Sequence, residues 1–184
     1  KNPGIVLPEV DLDNAVSEAI TGSLSFNGQR CTALKILFVH EDVVASFIEK
    51  FNRKLATLKP GMPWEDGVSL TPLPEVGKVD YLNALVADAA QHGARVVNDN
   101  GGVSRGSFFY PAVLYPVNPQ MRVYHEEQFA PAVPIVPYRD LDTVIDYVLD
   151  SDFGQQLSLF GTNPADIGRL VDTFANQVGR ININ

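Results

Sequence analysis

Short apolar runs alternate along this chain with segments whose apolar residues recur every three or four positions, and this alternation constrains the fold more than any other feature. Leu12, Val16, Ala19 and Ile20 follow Asp11 at helical spacing, which predicts an amphipathic helix with Asp11 as its N-cap. Lys35 to Val39 is nearly continuous in apolar character and reads as a buried strand. A helix opens at Glu41 or Asp42, lines Val44, Phe47, Ile48, Phe51, Leu55 and Leu58 on one face, and is expected to stop at Lys59-Pro60-Gly61. Residues 60 to 74 are rich in proline and glycine and read as a rigid loop, with Trp64 anchoring that loop.

A further helix is expected from Glu75 to Gln91, with Val76, Val79, Leu82, Val86 and Ala89 inward, Gly93 as its stop and His92 meeting its negative end. Strands follow at 95–97 and 108–115, the second confined toward an edge or bulge by Pro111. Between them Asn98 to Gly102 reads as a turn, because a phosphate cradle needs a following helix and a strand follows instead. After a polar connection over 116–132 come strand 133–136, helix 141–149, strand 157–160, a helix from Pro164 capped by Asn163, and strand 180–183. The pattern implies an α/β domain: a mainly parallel twisted sheet with helices on both faces.

The length, 184 residues, suits one domain. A net charge of -8, with basic residues scattered singly, argues against nucleic-acid binding. No apolar run is long enough to span a bilayer, so no membrane role is expected. Cys31 is the single cysteine, which excludes an internal disulfide and fits a reducing compartment, so a cytoplasmic location is expected. His40, His92 and His125 share no ligand spacing with Cys31, so no metal is expected. The chain starts at Lys1 and ends in an expected strand, as an excised piece would.

Cys31 stands among residues that a plain core would not select. A lone cysteine is ordinarily a small buried hydrophobe. Here Arg30 is adjacent, Gly28 permits a close backbone approach, and Gln29 and Thr32 are polar. A nucleophilic thiolate needs such an exposed position near positive charge or oriented N–H groups. Cys31 is expected in a turn or irregular helix end just before the strand at 35–39. Glu126 and Glu127 precede another strand, beside Phe129, where ligand-facing groups collect.

Gly28-Gln29-Arg30-Cys31-Thr32-Ala33 resembles the catalytic-cysteine signature of the aldehyde dehydrogenase superfamily. Glu126-Glu127-Gln128-Phe129-Ala130-Pro131 resembles that family's Glu-Glu-x-Phe-Gly-Pro element, and Lys1-Asn2-Pro3 resembles the residues directly after its Glu-Leu-Gly-Gly segment. The three occur in the family's order at about its spacings, so the resemblance covers the whole chain. It implies a cysteine-bearing catalytic domain over residues 1–184. The dinucleotide-binding domain, the glutamate general base and the oxyanion asparagine would all lie before Lys1.

The implied chemistry is addition of Cys31 to an aldehyde, hydride transfer to NADP or NAD, and hydrolysis of the thioester, with the Cys31 N–H as an oxyanion donor. Glu127 matches the residue that accepts hydrogen bonds from the nicotinamide ribose, and Phe129 matches the aromatic at the nicotinamide end. Ala130 stands where the family has glycine. Arg30 beside the cysteine and the ending Asn182-Ile183-Asn184 most resemble the NADP-preferring, non-phosphorylating glyceraldehyde-3-phosphate branch, with Arg30 and Asn184 as substrate-side candidates. Relatives acting on other semialdehydes share the Arg-Cys pair. The family implies a homo-oligomer. A non-catalytic assembly domain with an incidental cysteine is the alternative of another class, and a cysteine hydrolase lacks a histidine placed as its base.

Overall fold

Residues Leu34–His40 (β2) and Ala132–Tyr138 (β9) carry almost no polar alternation because the sheet they occupy is covered on both sides. The computed structural model describes all 184 residues. Before β2 come strand β1 (Asn2–Val6), helix α1 (Leu12–Leu24) and a 3-10 turn at Ser25–Gly28. Then follow α2 (Glu41–Leu55), β3 (Lys59–Pro60), β4 (Val68–Leu70), α3 (Lys78–Gln91), β5 (Arg95–Val96), β6 (Ser104–Arg105), β7 (Phe108–Phe109), β8 (Ala112–Tyr115) and α4 (Arg122–His125). After β9 come α5 (Leu141–Leu149), β10 (Leu157–Phe160), α6 (Pro164–Phe174) and β11 (Ile181–Ile183).

Seven strands form one sheet in the order β11-β10-β1-β2-β9-β8-β5, parallel except for the β5–β8 pair. Strand alternation divides the core in two. Ile5, Ile36 and Phe38 face α3, α5 and α6, packing with Leu85, Val144 and Phe174. Val6, Leu37 and Val39 face α1 and α2, packing with Val16, Ile20, Phe47 and Phe51. The expected α/β class and the covering of both faces are therefore present. No helix is long and apolar enough to cross a membrane.

Several boundaries match their signals. Asp11 caps α1 by accepting from Asn14 N–H, and Asn163 caps α6 by accepting from the N–H groups of Ala165 and Asp166. Helix α2 stops at Leu55 rather than reaching Leu58, since Thr57 and Leu58 turn back on the carbonyls of Lys54 and Leu55, and Lys59–Pro60 joins β4. Helix α3 starts at Lys78, not Glu75, because Gly77 takes a left-handed φ of 80° at the cap. Val76 therefore lies before the helix and is 99% exposed rather than inward. Trp64 is also exposed and anchors no loop. Pro111 breaks the 108–115 run into β7 and β8, and β8 lies inside the sheet rather than at its edge. The sequence reasoning missed β1, which is a central strand, and the single-turn α4.

Candidate active site

The segment from α1 to β2 has to reverse direction within a few residues. It does so through three consecutive left-handed residues, Phe26 (φ 53°), Asn27 (φ 56°) and Gly28 (φ 69°). Asparagine and glycine tolerate that region, whereas phenylalanine is strained there. Asn27 offsets the strain by acting as a substitute peptide group: its Oδ1 accepts from Thr71 N–H at 3.1 Å and its Nδ2 donates to Thr71 O at 3.0 Å. A Cβ on Gly28 would stand 2.7 Å from Ser23 O and 3.1 Å from Ala130 O, so only glycine fits where this turn presses on the Glu127 loop.

The reversal leaves Cys31 exposed at the amino end of β2. The carbonyls of its turn are all held from beneath. Lys35 Nζ donates to Arg30 O at 2.7 Å, Asn2 Nδ2 to Cys31 O at 2.6 Å and to Ala33 O at 3.0 Å, and Gln156 Nε2 to Thr32 O at 2.7 Å. With the carbonyls engaged on the protein side, the N–H of Cys31 meets no acceptor within the chain.

The Glu126–Phe129 loop is braced as heavily. The buried Lys1 ammonium donates to Glu126 O at 2.7 Å and to Gln128 Oε1 at 2.6 Å, while Gln128 Nε2 donates to Lys35 O and Ala132 O. The Glu126 carboxylate is engaged by other residues, accepting from Arg122 Nε at 2.7 Å and Tyr81 Oη at 3.0 Å. The Arg122 hydrogen bonds hold the Glu126 carboxyl below its usual range, and burial, reinforced by Glu126, pushes Tyr81 up to about 12. Burial pushes the Lys1 ammonium down to about 7 against the opposing pull of Glu127.

Lys35 joins the two halves. Its side chain is 2% exposed, yet its ammonium lies 3.2 Å from Glu127 Oε1 and 4.7 Å from the centre of the Phe129 ring, on top of its bonds to the cysteine turn. Burial lowers its pKa, and Glu127 resists that shift. Glu127 is partly exposed, held through Oε1, with Oε2 free of protein partners. Phe129 has a φ of 45°, whereas Ala130 is not left-handed, so the alanine in the family's glycine position is accommodated without strain there. The structure therefore brings Cys31, Glu127 and Phe129 around one buried cation. Sequence reasoning missed Lys35, Lys1, Asn2 and Gln156. The available signal was a lysine opening a strand buried on both faces, which needs a partner for its charge.

Arg30 and Asn184 stand differently. The Arg30 guanidinium donates to Ser25 Oγ at 2.7 Å and stacks 4.9 Å from the Phe26 ring, while its Nε has no partner. Asn184 lies at the carboxyl end of β11, away from the Lys35 cluster, and both its side-chain atoms bond the backbone of Gly161, at 2.9 and 2.8 Å. It lines a groove of about 390 Å³ whose other end reaches Thr32, next to Cys31, by way of Gln156 and Asn182. A second cavity of about 450 Å³ beside α5 is lined by Asp146, Asp150 and Asp152, a charge unsuited to phosphate. No cluster of three or more His, Cys, Asp or Glu side chains is placed to hold a metal.

These features define an α/β domain that presents one exposed cysteine and one carboxylate–aromatic pair on a braced base. The aldehyde dehydrogenase family model matches residues 1–184, and the chain belongs to that family. It is 34% identical to the NADP-dependent glyceraldehyde-3-phosphate dehydrogenase of Triticum aestivum, with the match covering 100% of this chain and 36% of that protein. It is 30% identical to the 3,6-anhydro-alpha-L-galactose dehydrogenase of a Vibrio strain, again over all of this chain and 39% of the relative. Succinate-semialdehyde dehydrogenase from Burkholderia pseudomallei superposes with a TM-score of 0.93 at 31% identity, covering 100% of this chain and 38% of that one. The NADP complex of NADP-dependent glyceraldehyde-3-phosphate dehydrogenase from Bacillus halodurans superposes with a TM-score of 0.92 at 32% identity, covering 100% and 37%. The chain thus spans less than two fifths of the length of these relatives.

Proposed function

We propose that residues 1–184 form the cysteine-bearing catalytic domain of an NADP-dependent aldehyde dehydrogenase that converts an aldehyde to a carboxylic acid. The observation that carries this reading is the convergence of Cys31, Glu127 and Phe129 on the Lys35 ammonium, with the Cys31 thiol exposed and its N–H free. Cys31 adds to the aldehyde carbon, and its N–H donates to the oxygen that becomes negative in the adduct. Bound nicotinamide would accept the hydride that leaves a thioester on Cys31. Water then releases the acid, with the general base supplied by a part of the protein outside these residues. Glu127 fits a ribose: Lys35 fixes Oε1, and Oε2 remains to accept from a hydroxyl. Phe129, oriented by its left-handed backbone and the Lys35 contact, offers a face to the nicotinamide end.

The Arg30 guanidinium suits an anionic substrate such as glyceraldehyde 3-phosphate, since it is a cation next in sequence to the nucleophile and is held by stacking on Phe26. Asn184 enters only as a wall of the groove leading past Thr32. A homo-oligomeric assembly and a cytoplasmic location belong to the same proposal. The decisive measurement is aldehyde-dependent NADPH formation by the complete enzyme, wild type against Cys31→Ser, with glyceraldehyde 3-phosphate and succinic semialdehyde compared by kcat/KM. Cys31→Ser is expected to abolish the rate with its fold retained. Retention of the rate would remove Cys31 from the mechanism, and a preference for the semialdehyde would redirect the substrate assignment.

A further inference from the structure

The buried Lys35 ammonium has more partners than any other cation in the chain. It donates to Arg30 O at 2.7 Å and lies 3.3 Å from Ala33 O and 3.4 Å from Cys31 O, all in the nucleophile turn. On its other side are Glu127 Oε1 at 3.2 Å and the Phe129 ring at 4.7 Å. No other side chain outside the two segments makes polar contacts with both the cysteine turn and the carboxylate loop. A core lysine that served only packing would be replaceable by a methionine, and it would not be surrounded by three carbonyls, a carboxylate and an aromatic face.

We infer that Lys35 is a positioning residue, whose charge fixes the nucleophile turn and the Glu127–Phe129 loop in one mutual geometry and so links the reactivity of Cys31 to the state of Glu127. The inference rests on the proposed function for its catalytic meaning, though the linkage itself does not need turnover. Its physical basis is a shared ammonium. Glu127 offsets the cost of burying that charge, and without Glu127 the ammonium is left to the carbonyls of Arg30, Cys31 and Ala33, on the side of the Cys31 turn. Without Lys35, three carbonyls and one carboxylate oxygen lose their common donor, and the two loops are free to separate.

Two variants in the complete enzyme test this, Lys35→Met and Glu127→Gln, with Lys35→Arg as the charge-retaining control. Three quantities are read: the iodoacetamide alkylation rate of Cys31 across pH 5 to 9, the KM for NADP with kcat, and the thermal midpoint. Lys35→Met is expected to slow alkylation and lower kcat/KM by about tenfold or more, in line with misplacement of reacting groups by a fraction of an ångström. Lys35→Arg should recover part of both losses. Glu127→Gln, which does not touch Cys31, should speed alkylation at the acidic end of the range, opposite in sign to Lys35→Met. In the double variant the NADP effects should fall well short of the product of the single ones.

Should Lys35→Met fail to fold, Glu127→Gln decides alone: an alkylation profile identical to wild type overturns the linkage. Unchanged alkylation in both single variants overturns it equally, even if Cys31 remains essential for turnover. Conversely, a catalytically competent Cys31→Ser would overturn the proposed function while the alkylation arms still judged the linkage.

Discussion

Replacing Gly28 by alanine isolates the close approach between the nucleophile turn and the Glu127 loop. Two costs add at this position. The first is conformational: at φ 69° an L-residue pays roughly 1–2 kcal/mol. The second is steric, because the new methyl would stand 2.7 Å from Ser23 O and 3.1 Å from Ala130 O, both backbone atoms of braced segments. Relief of that clash requires the two loops to part, at a cost typical of overpacking, roughly 1–3 kcal/mol. The total loss is then about 2–5 kcal/mol, if the terms simply add. Gly106 supplies the control, since its φ of 58° is also left-handed but a Cβ there meets nothing within 4 Å. Gly106→Ala should therefore cost only the first term. Urea unfolding of both variants gives the two numbers, and the alkylation rate of Cys31 reports whether the turn has moved. Equal destabilisation of the two variants would refute the idea that Gly28 is fixed by packing against Ala130.

The lysines give the chain a pH dependence of defined sign. Lys1 is held down to about 7 when folded against an ordinary value of 10.5, and Lys35 is lowered too, so the unfolded chain binds more protons above pH 7. The urea midpoint should rise from pH 7 to pH 9; a flat or falling midpoint would show that these ammonium groups are better solvated than their burial implies. Above pH 10 the trend should reverse, because Tyr81 is raised to about 12 and the unfolded chain then loses protons first. Phe47, fully buried between α2 and the sheet, should cost about 3–5 kcal/mol on truncation to alanine while leaving Cys31 alkylation unchanged, since it lies in the core beneath α2 and not in the site. A loss below about 1 kcal/mol by calorimetry would mean that this face of the sheet is loosely packed.

Periodicity made most of the fold legible, and its failures are physical ones. Helix α5 and strand β10 fall where their signals place them, because each has clean turn or cap residues at its ends. Strand β1 escaped because Pro3 and Gly4 argue against a strand interior. A register shift between Asn2 and Pro3 accommodates the proline, and the absence of a side chain on Gly4 admits Leu37, whose Cδ2 would lie 2.8 Å from a Cβ there. Val76 and Trp64 misled because hydrophobicity alone does not say whether a loop residue is covered. Motifs pointed to Cys31, Glu127 and Phe129 as candidates, and the structure places them together around Lys35, but no motif pointed to the groups bracing them. Asn2, Lys35, Gln128 and Gln156 act across sequence separations of up to 154 residues, as in the bond from the Gln156 N–H to Asn2 Oδ1, and local pattern carries no trace of such pairings.

The placement of this site on the sheet explains why so many cations surround it. In open parallel sheets, ligands ordinarily sit outside the carboxyl ends of strands, where following helices present positive N-termini. Here Lys1 and Asn2, Cys31 to Ala33, Gln128 and Gln156 lie at the amino ends of β1, β2, β9 and β10. Helices arrive at that edge by their C-termini, as α1 does before the cysteine turn and α5 before β10, so the backbone there offers partial negative charge and unpaired carbonyls. A thiolate and a negatively charged adduct placed at such an edge would be destabilised by the fold itself. Side chains answer that charge at this edge: Lys35 donates to Arg30 O and Lys1 to Glu126 O, the amides of Asn2 and Gln156 satisfy carbonyls of the cysteine turn, and that of Gln128 satisfies Lys35 O and Ala132 O. Under the proposed function, the two buried lysines are the charges that would offset a thiolate or anionic adduct at the amino end of this parallel sheet.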